Sequence, residues 1–303
     1  QKMYRIKDRE AVSNPAFYGG EPVWNTAERQ GVKAATYFWV GSEAPVGGKH
    51  NSIWKVFDSS VPYNDRADSV VAWLSLPKEQ RPHLVMWYIE EPDAIGHDAT
   101  PDSSAVIDKV EELDAVLARF FSKVNKLDIA PKIDFIVTSD HGMATFVPDK
   151  YVNLGDYLPR DSFKFVFDGV PTVLYPKPGY TDTAYEILKK VPNITVWKKE
   201  EVPTRYQYGS NARIGDLIVL PDVGSMVQFR DKGKPWLGGA HGYDNFDPTM
   251  QAIFYASGPS FKKNVTHPSL PNISLYPLIC RLLKIKPAPN DADSVNLDGL
   301  LKK

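Results

Sequence analysis

Three histidines and two aspartates pose the chemical question for this chain. His97 closes Asp93-Ala94-Ile95-Gly96-His97, His141 follows Asp140 directly, and His241 opens His241-Gly242-Tyr243-Asp244-Asn245. Each stands in a polar, glycine-flanked segment, where a side chain can face a ligand. Imidazole and carboxylate donors without cysteine suit zinc, and less well manganese or iron. Two metals roughly 4 Å apart would call for about six or seven ligands, and these residues supply most of them. One Asp-His pair alone is as readily a turn cap bonded to backbone; several at the ends of buried strands favour a shared site. His50 in a polar loop, His83 at a strand start and His267 before a proline read as structural or solvated.

The elements that must position these groups are legible in the apolar runs. Ile133 to Thr138 reads as a strand buried on both faces, ending abruptly at Ser139-Asp140-His141-Gly142. His83 to Ile89 reads as a second buried strand, leading into Glu90-Glu91-Pro92-Asp93. Pro92 before the aspartate and Gly96 before the histidine predict a strand-to-loop turn at Asp93–His97, not a helix. Between the strands, Ser103 to Leu127 carries Val106, Ile107, Val110, Leu113, Leu117, Phe120, Phe121 and Val124 at helical spacing. Strand, helix and strand predict a βαβ unit whose two strands lie parallel in one sheet. Ligands of open α/β sheets bind at the carboxyl ends of strands, so Asp93, His97, Asp140 and His141 should share one edge.

Elsewhere, strands are expected at Val32–Trp39 and Ala252–Ala256, and helices at Thr26–Gln30, Asn64–Leu76 and Ser274–Leu283. Residues 1–24, rich in glycine, proline and aromatics, read as irregular. Residues 150–235 suggest strands at Phe163–Phe167, Thr172–Tyr175, Ile194–Lys198 and Asp216–Leu220 with a helix at Thr181–Lys190, either a small cap or an elaboration within one domain. The chain's 303 residues suffice for one large α/β domain or two smaller ones. A net charge of −1 implies no broad electrostatic grip on a nucleic-acid duplex. No stretch approaches the roughly 18 apolar residues of a membrane span. Cys280, the single cysteine, excludes an internal disulfide framework and reads as a buried thiol. The sequons at Asn193, Asn264 and Asn272 matter only in a eukaryotic secretory setting. Asn290-Asp291-Ala292-Asp293 reads as a solvated loop rather than a calcium site. Tyr37, Phe38 and Trp39, with Trp24, Phe17 and Tyr18, either stack on a base or choline-like group or pack the core, and core packing is the commoner fate.

These motifs resemble the nucleotide pyrophosphatase/phosphodiesterase (type I phosphodiesterase) family of the alkaline phosphatase superfamily. The matching stretches are Glu21-Pro22-Val23-Trp24, Gly31 through Trp39, Glu91-Pro92-Asp93 through His97, Thr138 through Met143, His241 through Asn245, and Lys286-Pro287-Ala288-Pro289-Asn290. They run in family order over nearly the whole chain. The resemblance implies an α/β, alkaline-phosphatase-like three-layer sandwich with a mostly parallel central sheet, and one catalytic domain over residues 1–303. It implies two zinc ions, one held by Asp93, His97 and His241, the other by Asp140, His141 and an upstream aspartate. It also implies a threonine nucleophile in a Thr-Phe-Pro-Asn-His context that has no match here; Thr36 and Thr138 belong to other motifs. The chain is therefore expected to be N-terminally truncated and inactive by itself. The implied activity is hydrolysis of nucleotide phosphodiester or pyrophosphate bonds to nucleoside 5'-monophosphates through a phosphothreonine. Tyr37 is the candidate for stacking on the base, with Trp24, Phe17 and Tyr18 beside it. Alternatives are a choline-type phosphodiesterase, an inert metal-stabilised binding module, or a monoesterase or phosphomutase of the superfamily. A periplasmic or extracellular place is expected, and the lack of disulfides suggests a bacterial origin.

Overall fold

Short apolar runs bounded by turn residues form the strands of the first of two units. The computed structural model describes residues 4–230, 238–292 and 297–302. Its first unit comprises Gln1–Glu90, Glu111–Val137 and Tyr255–Lys303. There Ala34–Tyr37 lies between Ile53–Lys55 and Leu84–Trp87 and runs parallel to both. With a neighbour on each edge, all four of its residues are buried. Leu84 and Met86 pack with Trp24, Ala27 and Cys280 in one cluster, while Tyr37 and Phe38 pack with Val70, Val116 and Phe120 in another. Burial raises the pKa of the Cys280 thiol, which keeps it protonated and inert.

Several expectations need correction here. Helices Arg9–Ser13 and Val23–Arg29 occupy part of the segment read as irregular. Asp8 makes the first possible, its Oδ1 accepting from the Ala11 N–H at 3.2 Å. The strand Phe135–Thr138 is half-buried at all four residues instead of buried. It pairs with Phe254–Ser257, whereas Leu84–Trp87 belongs to the three-stranded sheet. Among the described residues no ladder joins the two strands of the predicted βαβ unit. A crossover helix permits a shared sheet, but local pattern cannot say which strands hydrogen-bond. The helix itself is present as Ser104–Val124, 21 residues long. Its buried residues are Val116, Phe120 and Val124, while Ile107 and Val110 are about half exposed. Helical spacing marks an apolar stripe without showing which turns find a partner.

Within this unit Arg66, on the helix Tyr63–Leu74, is fully buried. Its guanidinium donates to Glu90 Oε1 and Oε2 at 2.9 and 2.5 Å and lies over the rings of Phe38 and Tyr63. This fork fixes the chain immediately before Glu91-Pro92-Asp93.

The second unit comprises Glu91–Val110 and Thr138–Phe254. Alternating strands of residues 150–235 form an antiparallel sheet in the order Phe163–Phe167, Thr172–Pro176, Leu217–Pro221, Ile194–Lys198. The helix Thr181–Leu188 supplies Ala184 and Leu188 to the same core as Leu174, Leu217 and Val219, all with no exposed surface. Short ladders join Met226–Gln228 to Tyr151–Asn153 in parallel and Gly239–Ala240 to Ala144–Thr145 in antiparallel. Of the loop Asn290-Asp291-Ala292-Asp293, the last residue lies outside the described residues.

Candidate metal centre

All five metal-ligand candidates fall in the second unit. Asp93 and His97 do not hang from a turn, as expected, but sit on the helix Asp93–Ala99. Pro92 is its N-cap, where no intrahelical partner is needed for the missing N–H. The Ile95 N–H donates to Glu91 Oε2 at 3.0 Å, satisfying another group of the first turn. Helical spacing then puts Asp93 and His97 on one face. Met143 packs where a Cβ on Gly96 or Gly239 would lie 2.6 or 2.4 Å from its Sδ. The glycines beside His97 and His241 thus allow three chain segments to close together. The ladder of Ala240 with Ala144 brings His241 back toward His141.

The geometry draws these side chains into one group. His141 and His241 stack, with ring centroids 3.6 Å apart and planes within 13°, and His97 lies 5.0 Å from His241. Asp93 Oδ1 is 3.5 Å from His97 Nε2 and 3.6 Å from His241 Nε2. Those separations exceed hydrogen-bonding reach. They match the roughly 3.3 Å between donors that share a tetrahedral zinc with bonds of about 2.0–2.1 Å. Asp93 Oδ1 is buried from water and has no hydrogen-bond partner, an arrangement that a cation would satisfy. Asp93, His141 and His241 form the tightest set, each with a ligand atom within 4.8 Å of the others'. Asp140, at 76% side-chain exposure, reaches His141 Nε2 with Oδ2 at 3.5 Å.

Two backbone carbonyls fix the imidazoles for this task. His97 Nδ1 lies 2.9 Å from the Gly239 carbonyl, and His141 Nδ1 lies 2.9 Å from the Gly142 carbonyl. A carbonyl only accepts, so each Nδ1 is the donor, and in the neutral imidazole the lone pair falls on Nε2. Burial lowers the pKa of His241, and the neighbouring His141 adds to the effect; Asp93 opposes it. A neutral His241 at neutral pH also presents a lone pair. The donor set therefore fits a borderline-soft divalent cation such as zinc.

The aromatic candidates are placed differently. Tyr37 and Trp24 are buried, with 5% and 6% of their surface exposed, inside the core clusters of the first unit. Tyr37 packs edge-on against Phe38 and beside Trp73. Both rings pack within the core, as aromatic residues in buried strands and helices ordinarily do. Phe17 and Tyr18 are half-buried and pack on Tyr4, with the Tyr18 hydroxyl donating to the Val12 carbonyl at 2.7 Å. Arg205 went unnoticed in the sequence. Its guanidinium forks onto Asp244, Nη1 to Oδ1 at 2.7 Å and Nη2 to Oδ2 at 2.6 Å, three residues beyond His241. A lone arginine in an irregular segment carries no local signal of such a partner.

Comparison with known proteins agrees with this architecture. A venom phosphodiesterase of Crotalus durissus collilineatus is 37% identical over 302 residues, covering 95% of this chain and 36% of the relative. Ectonucleotide pyrophosphatase/phosphodiesterase family member 3 of Rattus norvegicus is 35% identical over 301 residues, covering 96% of this chain and 34% of the relative. The chain thus spans about a third of the length of the curated relatives it matches. The solved structure of murine ectonucleotide pyrophosphatase/phosphodiesterase 5 superposes with a TM-score of 0.91 at 29% identity, covering 98% of this chain and 79% of that one. An inactive threonine-to-alanine variant of that murine protein, in complex with AMP, gives the same TM-score, identity and coverage. The fold is accordingly alkaline-phosphatase-like, an α/β fold with parallel sheets. Residues 1–244 match the family described as type I phosphodiesterase/nucleotide pyrophosphatase, and the chain belongs to that family.

Proposed function

We propose that this chain carries most of the metal clamp of a nucleotide pyrophosphatase/phosphodiesterase, a hydrolase that releases nucleoside 5'-monophosphates from phosphodiester or pyrophosphate bonds. The observation that carries the reading is the convergence of Asp93, His141 and His241 around a buried, unpartnered carboxylate oxygen in a chain of this family. Residues 1–303 are read as one catalytic domain, with residues 150–235 as an elaboration within it.

Asp93, His97 and His241 would hold one zinc, and Asp140 and His141 would contribute to a second. When bound, zinc supplies Lewis-acid stabilisation of charge on the phosphoryl oxygens. The chain's own residues prepare that site. The Nδ1 hydrogen bonds of His97 and His141 hold both imidazoles in one tautomer, and burial keeps His241 neutral. Asp93 brings the negative charge that offsets a dication. The phosphothreonine route needs a threonine whose motif has no match here, so the chain alone is proposed to be inactive. Loss of activity in a threonine-to-alanine variant of the murine relative supports that route, and its AMP complex supports a nucleoside monophosphate product. The venom and ectoenzyme names of the relatives support a place outside the cytoplasm. Among the described residues no helix is long and apolar enough to cross a membrane.

The test is turnover by the intact, zinc-loaded protein of a nitrophenyl ester of a nucleoside monophosphate against nitrophenylphosphocholine. Faster hydrolysis of the nucleotide ester is expected. Preference for the choline ester would replace the nucleotide assignment, and hydrolysis of neither would leave a metal-stabilised binding module.

A further inference from the structure

His241 approaches Asp93 and His141 from a loop with little regular structure. Behind the strand Gly239–Ala240 the chain runs through Gly242-Tyr243-Asp244-Asn245-Phe246 to the short 3₁₀ turn Pro248–Met250. Two anchors hold the far side of this loop. The Gly142 N–H, next to His141, donates to the Met250 carbonyl at 3.0 Å. The other anchor is Arg205.

Among the described residues, the hydrogen bonds and ring contacts of the Arg205 guanidinium converge on the loop and on its own neighbour. Besides the fork onto Asp244, Nη1 donates to Asn245 Oδ1 at 2.8 Å and Nη2 to the Tyr206 hydroxyl at 2.6 Å. The guanidinium lies 4.0 Å from the Tyr206 ring centroid and 4.6 Å from that of Phe246. Asp244 in turn accepts from the Phe246 N–H at 2.9 Å, which closes the turn on itself. A planar fork can impose orientation as well as proximity, which a lysine cannot do.

We infer that Arg205 is a positioning residue for the metal centre: its grip on Asp244 and Asn245 holds the turn after His241 so that the imidazole stays stacked on His141 and beside Asp93. The inference rests on the metal-clamp reading proposed above. It places Arg205 outside the ligand set, acting through the backbone of residues 241–245. Its sign separates it from plain electrostatics. Removing a positive charge near a cation site, and freeing the Asp244 carboxylate, would tighten cation binding. Loss of positioning weakens it.

The experiment compares intact wild-type protein with Arg205→Gln and Arg205→Lys. Zinc affinity is measured by competition with a chromophoric chelator, and amide hydrogen exchange of residues 241–247 is measured without metal. Arg205→Gln is expected to weaken zinc binding by roughly 10-fold, the lower end for residues that orient metal ligands. Arg205→Lys, which keeps the charge but not the fork, should recover less than half of that loss on a logarithmic scale. Exchange of residues 241–247 should quicken in both variants before any metal is added. A lower unfolding midpoint with unchanged zinc affinity would reduce Arg205 to a structural role and overturn the inference, as would unchanged exchange. If wild-type protein itself takes no zinc while exchange still quickens in the variants, the metal reading fails and the loop-positioning role stands.

Discussion

At the scale of single residues the centre is defined by an oxygen with nothing to bind. Asp93 Oδ1 is buried, faces two imidazole nitrogens beyond hydrogen-bonding distance, and has no partner. Such an atom costs stability in the metal-free chain and repays it when a cation arrives. Asp93→Asn keeps the shape and removes the charge, so two measurements should move apart. Zinc affinity by calorimetric titration is expected to fall by roughly 100-fold or more, since even residues that only orient ligands cost about 10–100-fold. The metal-free unfolding midpoint should stay close to level, because the side chain is 43% exposed and its Oδ1 makes no hydrogen bond to lose. A fall in both would show that Asp93 is structural. All five candidate ligands were legible in the sequence because their chemistry is confined to few residue types. Their distances were not: spacing links Asp93 with His97, yet the tightest set joins Asp93 to His141 and His241, which only folding brings near.

At the scale of elements, local pattern succeeded where local forces decide. The strands and helix of residues 150–235 sit close to where alternation and periodicity placed them, because the apolar residues that mark them are buried, many of them in a common core. It failed at Asp93–His97, where proline and glycine read as a turn. Pro92 at the cap and Gly96 against Met143 are compatible with a helix that tertiary packing favours. The turn after His241 carries the sharpest backbone constraint. Gly242 has φ of 93°, and a Cβ there would lie 2.2 Å from the Val170 carbonyl oxygen. An L-residue is strained in that conformation, and the clash is with backbone that cannot swing aside. Gly242→Ala should therefore destabilise the protein by about 2–4 kcal/mol in denaturant unfolding, combining backbone strain with overpacking. A loss under about 1 kcal/mol would mean that the turn relaxes easily and does not constrain His241.

At the scale of the whole molecule, the order of motifs over the chain revealed the family, while the assembly of strands into separate sheets was beyond reach, since pairing depends on partners distant in sequence. Charge patterning gave equally little notice of two ion-pair clusters, one in each unit, that hold an aspartate well below its ordinary pKa. In the first unit, Asp68 accepts from Arg119 at 2.7 Å and from Lys123 at 2.5 Å, which lowers its pKa to about 2. In the second, the Arg205 fork lowers Asp244 to about 2 as well. Both carboxylates fall below the unfolded aspartate value of about 3.9. The sign follows from proton binding: below that value the unfolded chain takes up protons that the folded chain refuses, so folding loses support as acid is added. The contribution is whole above roughly pH 4 and is lost as pH falls through about 2. Both side chains are more than a third exposed, at 41% and 39%, so solvent and salt reduce the size of the effect. The unfolding midpoint of the metal-free protein should therefore drop between roughly pH 4 and pH 2, and the drop should shrink in high salt. Asp68→Asn and Asp244→Asn should each flatten part of the profile. Because the two pairs belong to different units and share no partner, the double variant should flatten it by the sum of the two. A profile unchanged in the double variant would assign acid unfolding to other carboxylates.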